Sequence, residues 1–454
     1  MPNRVKREHE IRDPIHNFII LDRQGRRLVD SEPFQRLRHI HQLALTYLVY
    51  PGASHKRFEH SLGVMHLAGR VFDIVTDHKN RHPDTEHIIP DDGHLPQWRA
   101  TICLAALCHD IGHLPFSHAA EKEVLPNGED HESLTQVLID SPELTSVWSD
   151  GATIDKERVK KLAVGSKKYR GDQPLTDWES ILSEIITGDS FGVDRMDYLI
   201  RDSCHLGVSY GRFDFAKLVE SLRILPRSSE EGGSREPALG VEIGGIHSAE
   251  ALLLARYFMY EQVYFHHVRR IYDYHLIEFM KTLYGSEGYR FDITFHLSQT
   301  DNEVLAAMRL AAQDECAPGS ASARAILRRG HFRRVYSRNP TDEAVVEETI
   351  KDGKLAPSSE QVDLSPAYFL VEQLKNKFGG DGLYYDRYFQ STNSAVFPVL
   401  MSDNRIEVST QVSEVIRNIP LTKIAYIFAR PDLAQNVMSW IEKNRDDVLT
   451  GSQK

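Results

Sequence analysis

The chain has little cysteine: four residues in 454. None of Cys103, Cys108, Cys204 and Cys316 makes a CxxC pair, so neither a disulfide framework nor a zinc knuckle is indicated. Cys103 and Cys108 fall in an apolar helical run and read as small core residues of a reduced, cytoplasmic protein. No apolar run reaches the ~20 residues that span a bilayer. The first ten residues, Met-Pro-Asn-Arg-Val-Lys-Arg-Glu-His-Glu, lack the apolar stretch of a signal peptide. Positive charge is also short. The 54 Lys and Arg stand against 65 Asp and Glu, a formal net charge of −11. That balance argues against non-specific duplex binding, which needs a broad basic face. Internal repeats and low-complexity tracts are absent. What the chain holds in excess is histidine, 22 in all. Thirteen of these lie between His39 and His131, and imidazole is both the commonest metal ligand and a proton shuttle near neutral pH.

The length suggests two or three domains' worth of chain. Residues 11–29 alternate apolar and polar, which predicts a short hairpin. Most segments after it predict helices. These include Pro33–Leu45, Leu62–Asp77 capped by Ser61, Trp98–Ile111, Asp130–Ile139, Trp178–Thr187, Val193–Ser203, Phe215–Leu222 and one long helix over Ser248–Tyr284. Trp98–Ile111 is apolar nearly all round and belongs in the middle of a core. The Gly/Ser-rich stretch 226–238 reads as a mobile loop or hairpin tip. Beyond about residue 290, helical segments (303–313, 366–378, 433–444) mix with strand-like ones (384–390, 394–400, 405–410, 422–428). The expected fold is mainly α, with a helical catalytic domain over 1–290 and a smaller mixed α+β regulatory or oligomerisation lobe over 291–454.

The chemistry gathers at Leu107-Cys108-His109-Asp110-Ile111-Gly112-His113. Here a carboxylate and two imidazoles interrupt a helix otherwise buried in character. Burying a carboxylate without a partner is very costly, and a cation is the natural remedy. His109 and Asp110 can reach one metal ion together, and Gly112 allows close approach of backbone or substrate. Alone, such a dipeptide would read as a buried hydrogen-bonded pair. It is not alone, because His60 opens another apolar helix and Asp194 a third. A His, a His-Asp pair and a distant Asp follow the ligand order of the HD superfamily. Two imidazoles and two carboxylates suit several divalent ions, with Mn, Fe, Mg, Zn, Ni and Co undistinguished.

The resemblance is closer than the superfamily. Asp13-Pro14-Ile15-His16, Phe34-Gln35-Arg36-Leu37-Arg38, Pro51-Gly52-Ala53-Ser54-His55, Arg57-Phe58-Glu59-His60-Ser61-Leu62-Gly63-Val64 and the run His109–His118 are similar to the deoxynucleoside triphosphate triphosphohydrolases (dNTPases). Asp194–Asp202 and Arg256–His266 extend the match. No SAM-domain segment precedes these motifs in the 454 residues, so the chain looks most like the bacterial relatives of the SAM-and-HD-domain dNTPase. The resemblance implies hydrolysis of dNTPs to deoxynucleoside and inorganic triphosphate. It implies His60, His109, Asp110 and Asp194 as metal ligands and His118 as proton donor to the leaving 5′-oxygen. His131, Glu121 and His113 surround that donor, and Glu121 is expected to raise the pKa of His118. Arg57 and Arg195 match phosphate-contacting positions. Tyr198 lies beside them, and Gln42 and Asp202 match those that bond the 3′-hydroxyl. Asp194, Tyr198 and Asp202 share one helical stripe, at i, i+4 and i+8. Arg256, Tyr260 and Tyr264 form a second, in which Tyr264 matches the ring that excludes a 2′-hydroxyl.

Relatives of this kind assemble as oligomers with nucleotide effectors. A homo-tetramer or dimer, with GTP or dNTP effectors, is the corresponding expectation. Asp30, Gln35 and Arg38 match one effector contact, Phe332 and Arg333 another. Arg328–Arg334 reads equally as a solvated basic helix face or a weak nucleic-acid contact. Two alternatives stand beside the dNTPase reading. One is an HD phosphohydrolase of nucleoside monophosphates or cyclic nucleotides. The other is a non-catalytic binder of nucleotides or single-stranded nucleic acid. No membrane partner is expected.

Overall fold

The computed structural model describes residues 9–126, 128–149, 154–228, 235–352, 363–390 and 396–452. The fold is mainly helical with small sheets. Its strands are β1 (His9–Asp13), β2 (Asn17–Leu21), β3 (Leu222–Ser228), β4 (Arg235–Glu242), β5 (Arg333–Ser337), β6 (Leu383–Phe389), β7 (Pro398–Leu400), β8 (Ile406–Val408) and β9 (Lys423–Ala429). The chain forms two compact units. The first comprises Met1–Met259, Tyr284–Ala306 and Asn393–Pro420; the second comprises Tyr260–Leu283, Ala307–Thr392 and Leu421–Lys454.

In the first unit, β1 and β2 pair antiparallel. The hairpin ends at Leu21, short of the expected residue 29. Asp22 accepts a hydrogen bond from the Gly25 amide at 2.7 Å and starts α1 (Arg23–Val29). A side-chain acceptor on free N–H groups outcompetes the alternation seen in the sequence. The helix expected over Pro33–Leu45 is likewise broken. It forms α2 (Glu32–Arg36), a 3-10 turn at Leu37–His39 and another at Ala44–Leu48. Between them Ile40 is extended, and its carbonyl accepts from Arg57 N–H.

Four helices position the site. α3 (Arg57–Thr76) begins five residues before the expected start at Leu62, and the expected cap Ser61 lies buried inside it. Its start is set by Glu59, whose side chain accepts from the Lys56 amide at 3.0 Å. α4 (Leu95–Cys108) packs beside α3, with its second half buried except for half-buried Cys103, and stops before His109. After α5 (Glu121–Val124), α6 (His131–Asp140) is capped by Asp130. α7 (Thr145–Trp148), α8 (Lys156–Val164) and α9 (Asp177–Thr187) lead to α10 (Val193–Leu206), which packs on α3. α11 (Phe215–Ser221) precedes a four-stranded sheet in the order β3-β4-β7-β8. The tip of the β3–β4 hairpin, 229–234, lies outside the described residues.

The expected long helix over Ser248–Tyr284 is interrupted. α12 (Ile246–Met259) passes into a π-helical turn at Tyr260–Tyr264, and α13 starts at His267 and runs to Tyr284. Such turns insert a residue into an α-helix and cluster at functional sites. In the second unit the sheet order is β5-β9-β6. One face packs Ala425, Ile427 and Ala429 against helices at Pro366–Phe378 and Pro431–Leu449. The basic segment Arg328–Arg334 is not a helix face. Its helix ends at Leu327, and Arg333 and Arg334 begin β5, paired with β9.

Candidate metal centre and its surroundings

Three helices bring His60, His109 and Asp194 together. Ligand atoms of the three lie within 4.8 Å of one another. His60 sits one turn into α3 and is wholly buried. Its Nδ1 is 2.8 Å from Asp197 Oδ2 and its Nε2 3.0 Å from Asp194 Oδ1. His109, just past the end of α4, places Nδ1 2.7 Å from the Ala106 carbonyl. That bond fixes the tautomer, so the His109 Nε2 lone pair points at the same spot. This Nε2 is buried and has no hydrogen-bond partner. An orphaned imidazole nitrogen facing a second imidazole and a carboxylate is the donor set of a divalent transition metal, and the cluster can hold one. Burial alone would lower the His60 pKa, but hydrogen bonds to Asp194 and Asp197 raise it to about 10.

Asp110 lies alongside rather than within this trio. Its Oδ1 is 3.3 Å from His109 Nε2, and its Oδ2 is 3.7 Å from His60 Nε2 and ion-paired with Arg57. Burial would raise its pKa, but Arg57, His109 and His113 hold it well below the usual carboxylate range. Arg57 is itself buried and also donates to Ser117 Oγ at 2.7 Å. Its partner is therefore Asp110, not the neighbouring Glu59.

Behind the centre is a buried network that reading the sequence missed. Asp197 Oδ1 meets His16 Nε2 at 2.7 Å, and Oδ2 meets His60 Nδ1. Arg201 donates to both oxygens, Nε at 2.8 Å and Nη2 at 2.9 Å, and its Nη1 reaches Asp13 at 2.8 Å. Arg201 and Asp197 are 0% exposed. Asp13-Pro14-Ile15-His16 thereby acquires a physical role, because the hairpin supplies two polar groups that hold the carboxylate behind His60. The same network explains Gly63. A Cβ there would fall 2.0 Å from Asp197 Oδ1 and 2.5 Å from Arg201 Nη2. The i, i+4 spacing of Asp197 and Arg201 on α10 was the available signal.

A second cluster joins His113, His118, Glu121 and His131, again with ligand atoms within 4.8 Å of one another. The His113 and His131 rings stack at 3.9 Å, and His118 stands edge-on to both. Glu121 lies 3.3 Å from His118 Nδ1 and 2.9 Å from His131 Nδ1. Gly112 lets α6 dock here, since a Cβ would fall 2.2 Å from the His131 carbonyl oxygen. The turn carrying His118 is strained, with Phe116 at φ 58° and Ser117 at φ 59°. Asp301 pins it by accepting from the Phe116 amide at 2.6 Å.

The expected elevation of the His118 pKa is not found. The ring is 63% exposed. Even so, the surrounding protein first, then the charges of His131 and Arg57, outweigh Glu121 and lower its pKa. The pull of Glu121 falls on His131, which burial would lower but which Glu121 raises. Glu121 is held well below the carboxylate range by His118 and His131 despite its burial. His113 is lowered by burial and by Arg57, so it is neutral.

The remaining candidates separate. On α10, Tyr198 is half-buried and Asp202 buried, with Oδ1 2.7 Å from His55 Nε2. Gln42 is buried next to His55, whose carbonyl accepts from the Gln42 amide. Arg195 directs Nη1 to the carbonyls of Gly188 and Asp189. Arg256 lies near the end of α12 and is half-buried. Tyr260 and Tyr264 belong to the second unit, with rings 5.2 Å apart and edge-on. Gln35 donates to the Val29 carbonyl and accepts from Arg38, which covers the Phe58 ring at 3.5 Å. Asp30 is exposed, paired with Arg26 at 3.5 Å. Phe332 packs edge-on against His275 at 5.1 Å, and exposed Arg333 points Nη1 at His331.

Comparison with known proteins agrees with this geometry. Residues 57–146 match the HD domain and residues 213–372 the HD-associated region. The chain is 30% identical over 81% of its length to deoxynucleoside triphosphate triphosphohydrolase SAMHD1 of Gallus gallus, covering 64% of that protein. It is 34% identical over 59% of its length to the uncharacterized protein YwfO of Bacillus subtilis, covering 54% of it. The chain thus spans less than two thirds of these curated relatives. A crystal structure of a hypothetical protein from Aquifex aeolicus superposes with a TM-score of 0.73 at 31% identity, covering 95% of this chain and 99% of that one.

Proposed function

The chain belongs to the HD-domain family, and from that premise we propose that it is a metal-dependent phosphohydrolase that cleaves dNTPs to deoxynucleoside and inorganic triphosphate. One observation carries the choice of substrate. Asp194, Tyr198 and Asp202 follow one face of α10, from a ligand of the metal centre to a carboxylate positioned by His55. At 1.5 Å per residue, that face rises ~12 Å from the first to the last, so phosphate and sugar are met in order.

His60, His109 and Asp194, with Asp110 beside them, would hold the metal. When bound it would polarise the α-phosphoryl group and supply an activated water. The chain's own groups do the rest. Arg57, fixed by Ser117 and Asp110, offsets phosphate charge. Water attacks the α-phosphorus and the bond to the 5′-oxygen breaks. His118 gives that oxygen its proton, while Glu121 and His131 hold the ring in place. The bound triphosphate is strongly anionic and raises the His118 pKa from its low resting value. GTP or dNTP effectors, at Asp30, Gln35 and Arg38 and at Phe332 and Arg333, and a homo-oligomeric assembly, complete the proposal.

The test is a turnover assay with each dNTP alone and in pairs, across metals, with a nucleoside monophosphate control. Triphosphate release is expected. Release of phosphate alone, or of a linear mononucleotide, refutes the reading.

A further inference from the structure

We propose that His41 and Asp301 are a positioning pair that sets the proton donor His118 and ties Arg57 to the same frame. The catalytic part rests on the dNTPase reading; the frame itself does not. His41 falls in the break between two 3-10 turns, where residues 40–42 run antiparallel to 55–57. Asp301 opens the helix Asp301–Ala311, 260 residues further along the chain, and is 0% exposed.

Each polar atom of the pair has a defined partner. Asp301 Oδ2 accepts from the His41 amide at 2.8 Å and from His41 Nδ1 at 2.6 Å. Its Oδ1 accepts from the Phe116 amide at 2.6 Å. A carboxylate only accepts, so the ring proton stays on Nδ1, and Nε2 takes a hydrogen bond from Lys56 Nζ at 2.7 Å. Ser117 closes the circuit. Its Oγ donates to the His41 carbonyl at 2.8 Å and accepts from Arg57 Nε at 2.7 Å. The amide, ring and carbonyl of one histidine thus hold Phe116 through Asp301, Ser117 directly, and Arg57 through Ser117.

A second observation points the same way. Phe116 and Ser117 both have left-handed φ, 58° and 59°. Two such residues in a row persist only when their surroundings over-determine them. The bond from Phe116 to Asp301 and the bond from Ser117 to His41 do so. His118 is the next residue, and its ring is 63% exposed. The direction in which it leaves the turn therefore depends on these bonds more than on burial. One side chain fixes the backbone of the acid and the guanidinium of Arg57 together, and a misplacement of ~1 Å at such a site costs ~10²-fold in rate.

Asn and Gln divide the two ring nitrogens of histidine between them. An Asn amide nitrogen can stand where Nδ1 stands and donate to Asp301. A Gln amide reaches the place of Nε2, meets Lys56 and leaves Asp301 without its side-chain donor. His41→Gln and Asp301→Asn are expected to lower kcat for dNTPs by ~10–100-fold with metal still bound, and His41→Asn to restore it to within ~fivefold of wild type. Amide hydrogen exchange of residues 113–118, read by mass spectrometry, should quicken in His41→Gln and Asp301→Asn and stay slow in His41→Asn. A kcat for His41→Asn no higher than that for His41→Gln overturns the positioning role, because the ring then only fills space. Exchange in His41→Gln as slow as in the wild type overturns the frame. His41 is half-buried, so its two variants decide the question even where Asp301→Asn does not fold. A wild type that turns over no dNTP refutes the function, while the exchange rates still judge the frame.

Discussion

Asp197→Asn changes one atom at the back of the metal centre and ought to weaken metal binding from a distance. In the wild type both carboxylate oxygens accept: Oδ1 from His16 and Arg201, Oδ2 from His60 and Arg201. Burial would raise the Asp197 pKa, but Arg201, His16 and His60 hold it well below the usual range, so it is an acceptor throughout. An amide has one oxygen and one NH2, and either orientation sets the NH2 against an imidazole and a guanidinium donor. If it replaces Oδ2, His60 keeps its lone pair toward the metal only by facing N–H to N–H. Otherwise His60 changes tautomer and turns a proton on the metal position. If it replaces Oδ1, His16 and Arg201 lose their acceptor and the carboxylate's charge is gone from behind His60. Loss of such an outer partner typically costs ~10–100-fold in metal affinity, or ~1.4–2.7 kcal/mol. Stability falls as well. Breaking a buried ion pair costs ~3–5 kcal/mol; Arg201 keeps Asp13, so the lower end applies, against a total of ~5–15 kcal/mol. The assay is competition for metal against a chromophoric chelator, with a thermal melt alongside. A folded variant whose metal affinity stays within threefold of the wild type refutes the claim that Asp197 sets the His60 donor.

His118→Ala should slow turnover by ~10²–10⁴-fold while nucleotide still binds; unaltered single-turnover rates remove His118 as the general acid. The pH profiles test the same residue. Its pKa is lowered in the free enzyme, and an anionic substrate raises it, so the alkaline limb of kcat should lie at higher pH than that of kcat/KM. Coincident limbs contradict the assignment. Gly63→Ala drives a methyl into the Asp197–Arg201 pair and should lower stability by ~1–3 kcal/mol, read as a drop in Tm; an unchanged Tm means the pair yields freely. Gly112→Ala, with its Cβ 2.2 Å from the His131 carbonyl oxygen, should separate His131 from His113. The readout is a loss of dNTP turnover with full occupancy of the metal centre.

The parts legible in the sequence are those with a local signature. The periodicity of α9 and α10 and of the helix at Pro366–Phe378 marked those elements closely, and the HD motifs marked His60, His109 and Asp194, which the fold brings within 4.8 Å of one another. What escaped depends on partners far along the chain. Ser61 looks like a cap, but Glu59 and the chain entering from Ile40 start α3 earlier. The π-turn at Tyr260–Tyr264 leaves the 3.6-residue pattern nearly intact while breaking the helix. Asp197 drew no role from the sequence because its four donors come from His16, His60 and Arg201, up to 181 residues away. The direction of the His118 pKa shift was missed because desolvation by the surrounding protein, with the charges of His131 and Arg57, outweighs Glu121.

α10 carries two messages on adjacent stripes. Asp197 and Arg201 face the buried network, and Asp194, Tyr198 and Asp202 mark the face assigned to substrate. A helix turns 100° and rises 1.5 Å per residue. One residue inserted between Asp194 and Asp197 would therefore rotate everything beyond it by more than a quarter turn, setting Asp197 away from His60 and Asp202 away from His55. In evolutionary terms this helix is a ruler. Its side chains can be exchanged singly at graded cost, but its length between Asp194 and Asp202 is open to neither insertion nor deletion. Changes of length in this family should accumulate in the loops on either side of α10 and stop at its ends.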